Sequence, residues 1–306
     1  MRIAVMGSGG IGGYIGLRLA KAGEDVTFIA RGEHLYAMRS NGLRLESPLG
    51  DVSLPNVNAT DDPAEAGTVD LVIFAVKLYD SEEAAAAILP MVGPKTTVLT
   101  LQNGVDGVDL LARSVPRSQV VAGAIYISTY LEAPGLIRQT SGMTQMTVGG
   151  RNDPAIAAFR DACALAEGIS LQAVDDVDPV LWMKFVTLAA FSGGTSLMRS
   201  GIGAIIADPE GRIFMEQLRD EGMAIAAAKG HPMPDGYVQQ TTSLWQMVPP
   251  ETQSSMANDL QRGKRLELEW LSGRMHSFGK ELEVPTPAHT AVYRALHLYA
   301  DGAPAR

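Results

Sequence analysis

The sequence predicts an α/β fold: a doubly wound parallel sheet with its helices over residues 1–173, then an all-helical domain over 174–306. Two observations carry this. Through about residue 173, short apolar β-branched runs alternate with Ala-rich amphipathic stretches, the rhythm of strand–helix–strand units. After "AVDDVDP" the strand signal nearly vanishes and helical periodicity takes over. Length agrees, because 306 residues exceed what one hydrophobic core usually organises.

Taken in order, "RIAVMG", "DVTFIA", "DLVIFAV", "TTVLTL" and "QVVAGA" read as buried strands, apolar throughout because a parallel sheet is covered on both faces. "GLRLESPLGDVSLP" (42–55) breaks the rhythm: two short alternating runs about a Pro-Leu-Gly-Asp turn predict a hairpin insert. A second pair, "GLIRQTS" and "TQMTVGG", adds strands near the end of the domain. From 178 onward helices are expected over 178–198, 208–229, 236–247, 253–262, 265–281 and 286–300, with Gly and Pro marking the breaks.

Composition narrows the function. Lys plus Arg number 25 against 34 Asp plus Glu, a net charge of -9 without basic runs, which argues against nucleic acid and anionic membranes as partners. No apolar run approaches the roughly 18 to 20 residues of a membrane span, and "MRIAVMGSGG" is too short an apolar start for a signal peptide. The single cysteine, Cys163, sits in an amphipathic stretch and suits packing in a reducing compartment, so a cytoplasmic location is expected. The five histidines are scattered, and there is no H-E-x-x-H, C-x-x-C, G-x-S-x-G or Walker A motif, so no metal site is expected. A small molecule is the expected partner. A homodimer through the helical domain is left open.

The N-terminus carries the first chemical signal. Gly7, Gly9 and Gly12 form G-x-G-x-x-G directly after a strand and opening a helix. Gly7 makes the turn, Gly9 lets the backbone approach a pyrophosphate, and Gly12 lets helix pack on strand. Ser8, Gly10 and Ile11 complete the cofactor-binding turn. At the end of the second strand "FIARGEHL" places Arg31, whose guanidinium suits the 2′-phosphate of NADP; Glu33, two residues later, keeps NAD as the alternative. Lys77 in "VIFAVKLYD" and Asn103 in "LTLQNGVD" follow later strands, at the sheet edge where such ligands bind.

The second signal is a lone charge. "DPVLWMKFVTLAAFSGGTSL" is apolar or small except for Lys184 within its helix. A buried ammonium shifts its pKa, finds a partner, or snorkels out.

"GSGGIG", "FIARGEHL", "AVKLYD", "LQNGV", "LWMKFV" and "SSMANDLQRGKRLELEWLSG", in this order, resemble the ketopantoate reductases, and the resemblance spans the chain. It implies a Rossmann-type domain, a helical domain, an active site in the cleft between them, and NADPH-dependent reduction of a 2-oxo acid. Lys184 matches the family's proton-donating lysine and Glu267 its glutamate, with Glu269 the nearby alternative. Ser255 matches a substrate-binding serine; Lys77, Asn103 and Thr129 match positions near the nicotinamide or substrate. The family's enzyme of pantothenate synthesis carries substrate-binding asparagines one and two helical turns beyond the lysine. Leu188 and Ser192 stand there in this chain, on the Lys184 face, so a 2-oxo acid with a different tail is an alternative substrate. Two further readings are an NADP-binding sensor without catalysis and a dehydrogenase of hydroxy acids or opine-like compounds.

Overall fold

The computed structural model describes residues 1–303; the last three residues of the expected helical domain lie outside them. The chain divides into two compact units, Met1–Val177 and Asp178–Arg306.

The first unit runs β1 (Arg2–Met6), α1 (Gly10–Lys21), β2 (Asp25–Ile29), α2 (Gly32–Asn41), β3 (Leu43–Glu46), β4 (Val52–Leu54), β5 (Asn58–Thr60), β6 (Leu71–Phe74), α3 (Ser81–Ala87), β7 (Thr97–Thr100), α4 (Gly107–Leu111), β8 (Val120–Tyr126), β9 (Thr129–Ala133), β10 (Leu136–Gln139), β11 (Gln145–Val148), α5 (Pro154–Leu165) and β12 (Ser170–Ala173). Eight strands form one sheet in the order β12-β11-β8-β7-β6-β1-β2-β5. All its pairings are parallel except β8 with β11. The chain builds outward from β1 through β2 to β5, then returns to β6 on the other side. The carboxyl ends of β1 and β6 therefore flank the topological switch point, where this architecture opens a crevice.

The central strands are apolar on both faces because both are covered. Ile3 and Val5 of β1 pack into a core with Ile15, Leu19 and Phe28, while Ala4 joins Val72, Phe74 and Ile88 on the other side.

The expected hairpin forms, β3 antiparallel to β4. The two strands expected as a pair separate: β10 joins β3 and β9 in a second, four-stranded sheet, whereas β11 joins β8 and β12. Strands β5, β9 and β12 were not expected, being only three to five residues long with little alternation.

Arg18 fastens the insert to this unit. It lies on α1, only 3% exposed. Its Nη1 donates to Glu167 O at 3.0 Å, and its Nη2 donates to Ser47 Oγ at 2.9 Å and Gly50 O at 3.0 Å. The guanidinium lies over the Tyr14 ring, whose hydroxyl donates to Gly168 O at 2.6 Å. Its Nε is buried without a partner, but removing the side chain takes the donor from two carbonyls and a hydroxyl. Arg18→Met should cost about 2–3 kcal/mol, seen as a fall in thermal midpoint of roughly 5–10 °C; an unchanged midpoint would show that the bonds to the insert are idle.

The second unit contains α6 (Asp178–Met198), α7 (Ile202–Ala207), α8 (Pro209–Ala228), α9 (Tyr237–Met247), α10 (Ser255–Gln261), α11 (Ser272–Glu281) and α12 (Pro287–Leu296). It has no strand among the described residues. Helix α6, of 21 residues and mean hydropathy 1.2, is long and apolar enough by composition to cross a bilayer, contrary to the expectation that no run approaches that length; 61% of that stretch is buried within the structure. Its small residues permit close packing: a methyl on Gly194 would sit 2.1 Å from the Met215 sulfur of α8.

The helix expected over 265–281 begins only at Ser272. Leu266, Glu267 and Leu268 are consecutive buried residues, which no single helix face accommodates. Leu266 N–H instead donates to Ala300 O at 2.8 Å, and a 3-10 turn over Leu268–Trp270 leads into α11. Glu267 is thus held on an irregular segment rather than on a helix. Glu269 is exposed and accepts from the Tyr293 hydroxyl at 2.9 Å.

Candidate active site

The first unit supplies a glycine turn at the switch point. Gly7 follows β1 with φ +95, and a methyl there would lie 2.7 Å from Val76 N. Gly12 could carry none either: its Cβ would be 2.2 Å from Gly7 O and 2.8 Å from Val5 Cγ1. At Gly10 a Cβ would meet Thr129 O at 2.7 Å, because β9 crosses the start of α1. Gly9 differs: nothing lies within 4 Å of the position its Cβ would take. Three glycines of the turn are therefore small so that the protein can close on itself, and one faces open space at a helix N-terminus.

Ser8 is pinned within this turn. It is buried, its hydroxyl donates to Ile29 O at 3.0 Å, and its N–H donates to the same carbonyl at 3.3 Å. Ile11, partly buried, packs on the sheet core. The Thr129 hydroxyl oxygen is buried with no hydrogen-bond partner. An open glycine, the free N–H groups of the first turn of α1 and an unsatisfied hydroxyl beside them fit a dinucleotide diphosphate.

Arg31 stands at the position before α2, just past the end of β2, makes no capping side-chain bond there, and is exposed. It pairs with Glu83 at 3.2 Å and Asp80 at 3.7 Å, so an incoming 2′-phosphate would compete with two carboxylates. Glu33 lies in the exposed first turn of α2. Lys77 and Asn103 are half-buried in the loops after β6 and β7. Gln102 braces these two loops: its amide donates to Val76 O at 3.0 Å and to Ser81 Oγ at 2.6 Å. Sequence reading passed over Gln102, since its neighbour Asn103 carried the Asn-Gly signal.

The second unit supplies the lysine. Lys184 is buried, 9% exposed, in the middle of α6. Burial drives its pKa from 10.5 to about 8, opposed by the nearby Glu267 carboxylate, itself 4% exposed. One turn beyond the lysine Leu188 is half-buried, and farther along α6 the Ser192 and Ser196 hydroxyls are buried with no partner. Buried hydroxyls are rarely left so. Thr195, in the same helix, donates to Ser254 Oγ at 3.0 Å. Ser254 in turn caps α10, accepting from Ala257 N at 3.0 Å, whereas its neighbour Ser255 is exposed. Arg199 ends α6 with φ 51 and lies over the Tyr299 ring at 5.7 Å. Among the described residues no group of His, Cys, Asp or Glu is arranged to hold a metal.

A Rossmann-type sheet with an open glycine turn, and a helical unit holding a lysine of lowered pKa, together define a class of two-domain oxidoreductases. Residues 3–153 match the family described as "Ketopantoate reductase PanE/ApbA", and residues 176–300 match its C-terminal counterpart. The 2-dehydropantoate 2-reductase of Mesorhizobium japonicum is 30% identical, the match covering 95% of each chain. The crystal structure of a PanE/ApbA family ketopantoate reductase from Ralstonia eutropha superposes with a TM-score of 0.89 at 32% identity, covering 98% of each chain. A D-mandelate dehydrogenase solved with NADH and anilino(oxo)acetate shares the fold, with a TM-score of 0.89 at 21% identity over 98% of each chain. The chain belongs to the ketopantoate reductase family.

Proposed function

We propose that this protein reduces a 2-oxo acid to the 2-hydroxy acid with NADPH, with ketopantoate the first candidate substrate and Lys184 the general acid. The observation that supports this most is the buried Lys184 with its pKa lowered to about 8 beside a buried glutamate. A lysine poised near neutrality holds a proton at pH 7 yet releases it readily, which suits proton donation.

The dinucleotide, when bound, supplies a hydride to the carbonyl carbon. The chain's own residues do the rest. As the carbonyl oxygen gains negative charge, the Lys184 ammonium stabilises it and passes a proton from Nζ to that oxygen. Glu267 keeps Lys184 protonated by opposing the effect of burial. Gly9 and the first turn of α1 receive the diphosphate, with Thr129 beside them, and Arg31 receives the 2′-phosphate by exchanging its carboxylate partners for it. Lys77 and Asn103 lie at the strand ends nearest the reacting groups. Ser192 offers its unsatisfied hydroxyl to the substrate, with Ser255 as a further polar contact carried by resemblance. The site acts in the cytoplasm, consistent with the single buried thiol.

Leu188 favours a second substrate within the same chemistry. An apolar side chain where a hydrogen-bonding one is used for a hydroxylated tail selects for an apolar tail. The deciding assay follows NADPH absorbance with ketopantoate and with 2-oxo acids bearing aliphatic and aromatic tails, with NADH and Lys184→Ala in parallel. Lys184-dependent turnover of ketopantoate supports the first substrate. Turnover of the apolar panel alone, with Leu188→Asn recovering ketopantoate by about tenfold, supports the second. Tight NADPH binding without turnover of any 2-oxo acid would favour a sensor.

A further inference from the structure

His34 stands third in α2, half-buried, and carries no role in the chemistry above. Its ring joins two backbone groups from distant parts of the unit. Nε2 lies 2.8 Å from Ser8 O in the glycine turn, and Nδ1 lies 3.0 Å from Gly135 N in the β9–β10 turn. A backbone N–H only donates, so Nδ1 accepts and the ring proton sits on Nε2, donating to the Ser8 carbonyl. The ring is therefore neutral and of a single tautomer, in keeping with a pKa held below its ordinary value by burial.

The Ser8 carbonyl belongs to the same peptide plane as the Gly9 N–H. Because that plane is rigid and trans, fixing the direction of the carbonyl fixes the N–H in the opposite direction. Gly9, at the open end of α1, would otherwise let this plane rotate, since glycine tolerates the change in φ that such a flip requires. The Gly135 end adds a second tie. The strand leading to that turn, β9, is the one whose Thr129 carbonyl closes on Gly10.

We infer that His34 is a positioning residue for the dinucleotide: it locks the Ser8–Gly9 peptide so that the Gly9 N–H faces the diphosphate, and it tethers β9–β10 to the same turn. This rests on the dinucleotide-binding reading above.

The test titrates full-length wild type, His34→Ala and His34→Gln with NADPH by fluorescence and measures steady-state kinetics on an accepted 2-oxo acid. His34→Ala should weaken NADPH binding by about tenfold or more, the scale of a lost buried hydrogen bond at each end. Its KM for NADPH should rise in step, with kcat at saturating NADPH and KM for the oxo acid within about twofold. His34→Gln keeps one donor and one acceptor and should recover most of the affinity, as should added imidazole with His34→Ala. His34→Leu, which fills the same volume, replaces His34→Ala if the latter fails to fold. NADPH affinity equal to wild type, or a loss shared equally by kcat and both KM values, overturns the positioning role. Wild type binding neither NADPH nor NADH overturns the dinucleotide reading itself.

Discussion

Lys184→Met will lower kcat on any accepted 2-oxo acid by about a thousandfold, within the range for removing a positioned proton donor that also stabilises charge. Methionine keeps the length and apolar stem of the lysine, so the packing of α6 survives and only the ammonium goes. In the wild type, kcat/KM should be flat through neutral pH and fall about tenfold per pH unit above pH 8, because the free enzyme loses the Lys184 proton near there. A profile that stays flat to pH 10 would remove Lys184 from the role of acid. The same group should leave a mark on stability. A base whose folded pKa lies below its unfolded value makes folding less favourable wherever it is charged, here fully below about pH 8, and the penalty fades as pH rises toward 10.5. Relative to Lys184→Met, the wild type should therefore gain about 3 kcal/mol between pH 8 and 10.5. Denaturant midpoints of the two proteins across that window measure it.

What the sequence made legible is local. The glycine turn announces itself because one short stretch holds strand, turn and helix, and each glycine has a steric reason that depends on close neighbours. Lys184 is legible because a charge within an apolar helix is a conflict visible without coordinates. Arg18 and His34 are illegible for the opposite reason. Arg18 reads as the polar face of α1 until the carbonyls of Gly50 and Glu167 are brought beside it. His34 reads as a polar residue early in α2, and only the fold delivers Ser8 and Gly135 to its two nitrogens. The segment around Glu267 misleads helical pattern reading because its backbone bonds are made with the chain's C-terminal end, 34 residues from Leu266 in the case of Ala300. Strand β9 was invisible since three half-buried residues followed by two exposed ones give no alternation, yet it closes over the glycine turn.

Gly9 and Gly12 will respond oppositely to the same substitution, and the difference separates fold from cofactor site. Gly9→Ala adds a methyl into space that no protein atom approaches within 4 Å, at φ -77, which alanine adopts readily. Its thermal midpoint should stay within about 2 °C of wild type, since the added methyl meets nothing in the folded chain. The methyl stands instead where the backbone must approach a diphosphate, so NADPH affinity should fall by about 10- to 100-fold, equivalent to about 1.4–2.8 kcal/mol. Gly12→Ala drives its methyl to 2.2 Å from Gly7 O, 2.8 Å from Val5 Cγ1 and 3.2 Å from Ala75 Cβ. Backbone and buried strand residues cannot yield that distance, so helix α1 must lift from β1 at a cost of about 3 kcal/mol or more. Calorimetry and NADPH titration on the two variants give a crossed result if the turn is built for a ligand: one stable and weak-binding, the other unstable. If Gly9→Ala binds NADPH as tightly as wild type, the open space beside Gly9 is not where the diphosphate sits, and the glycine turn would serve helix packing alone.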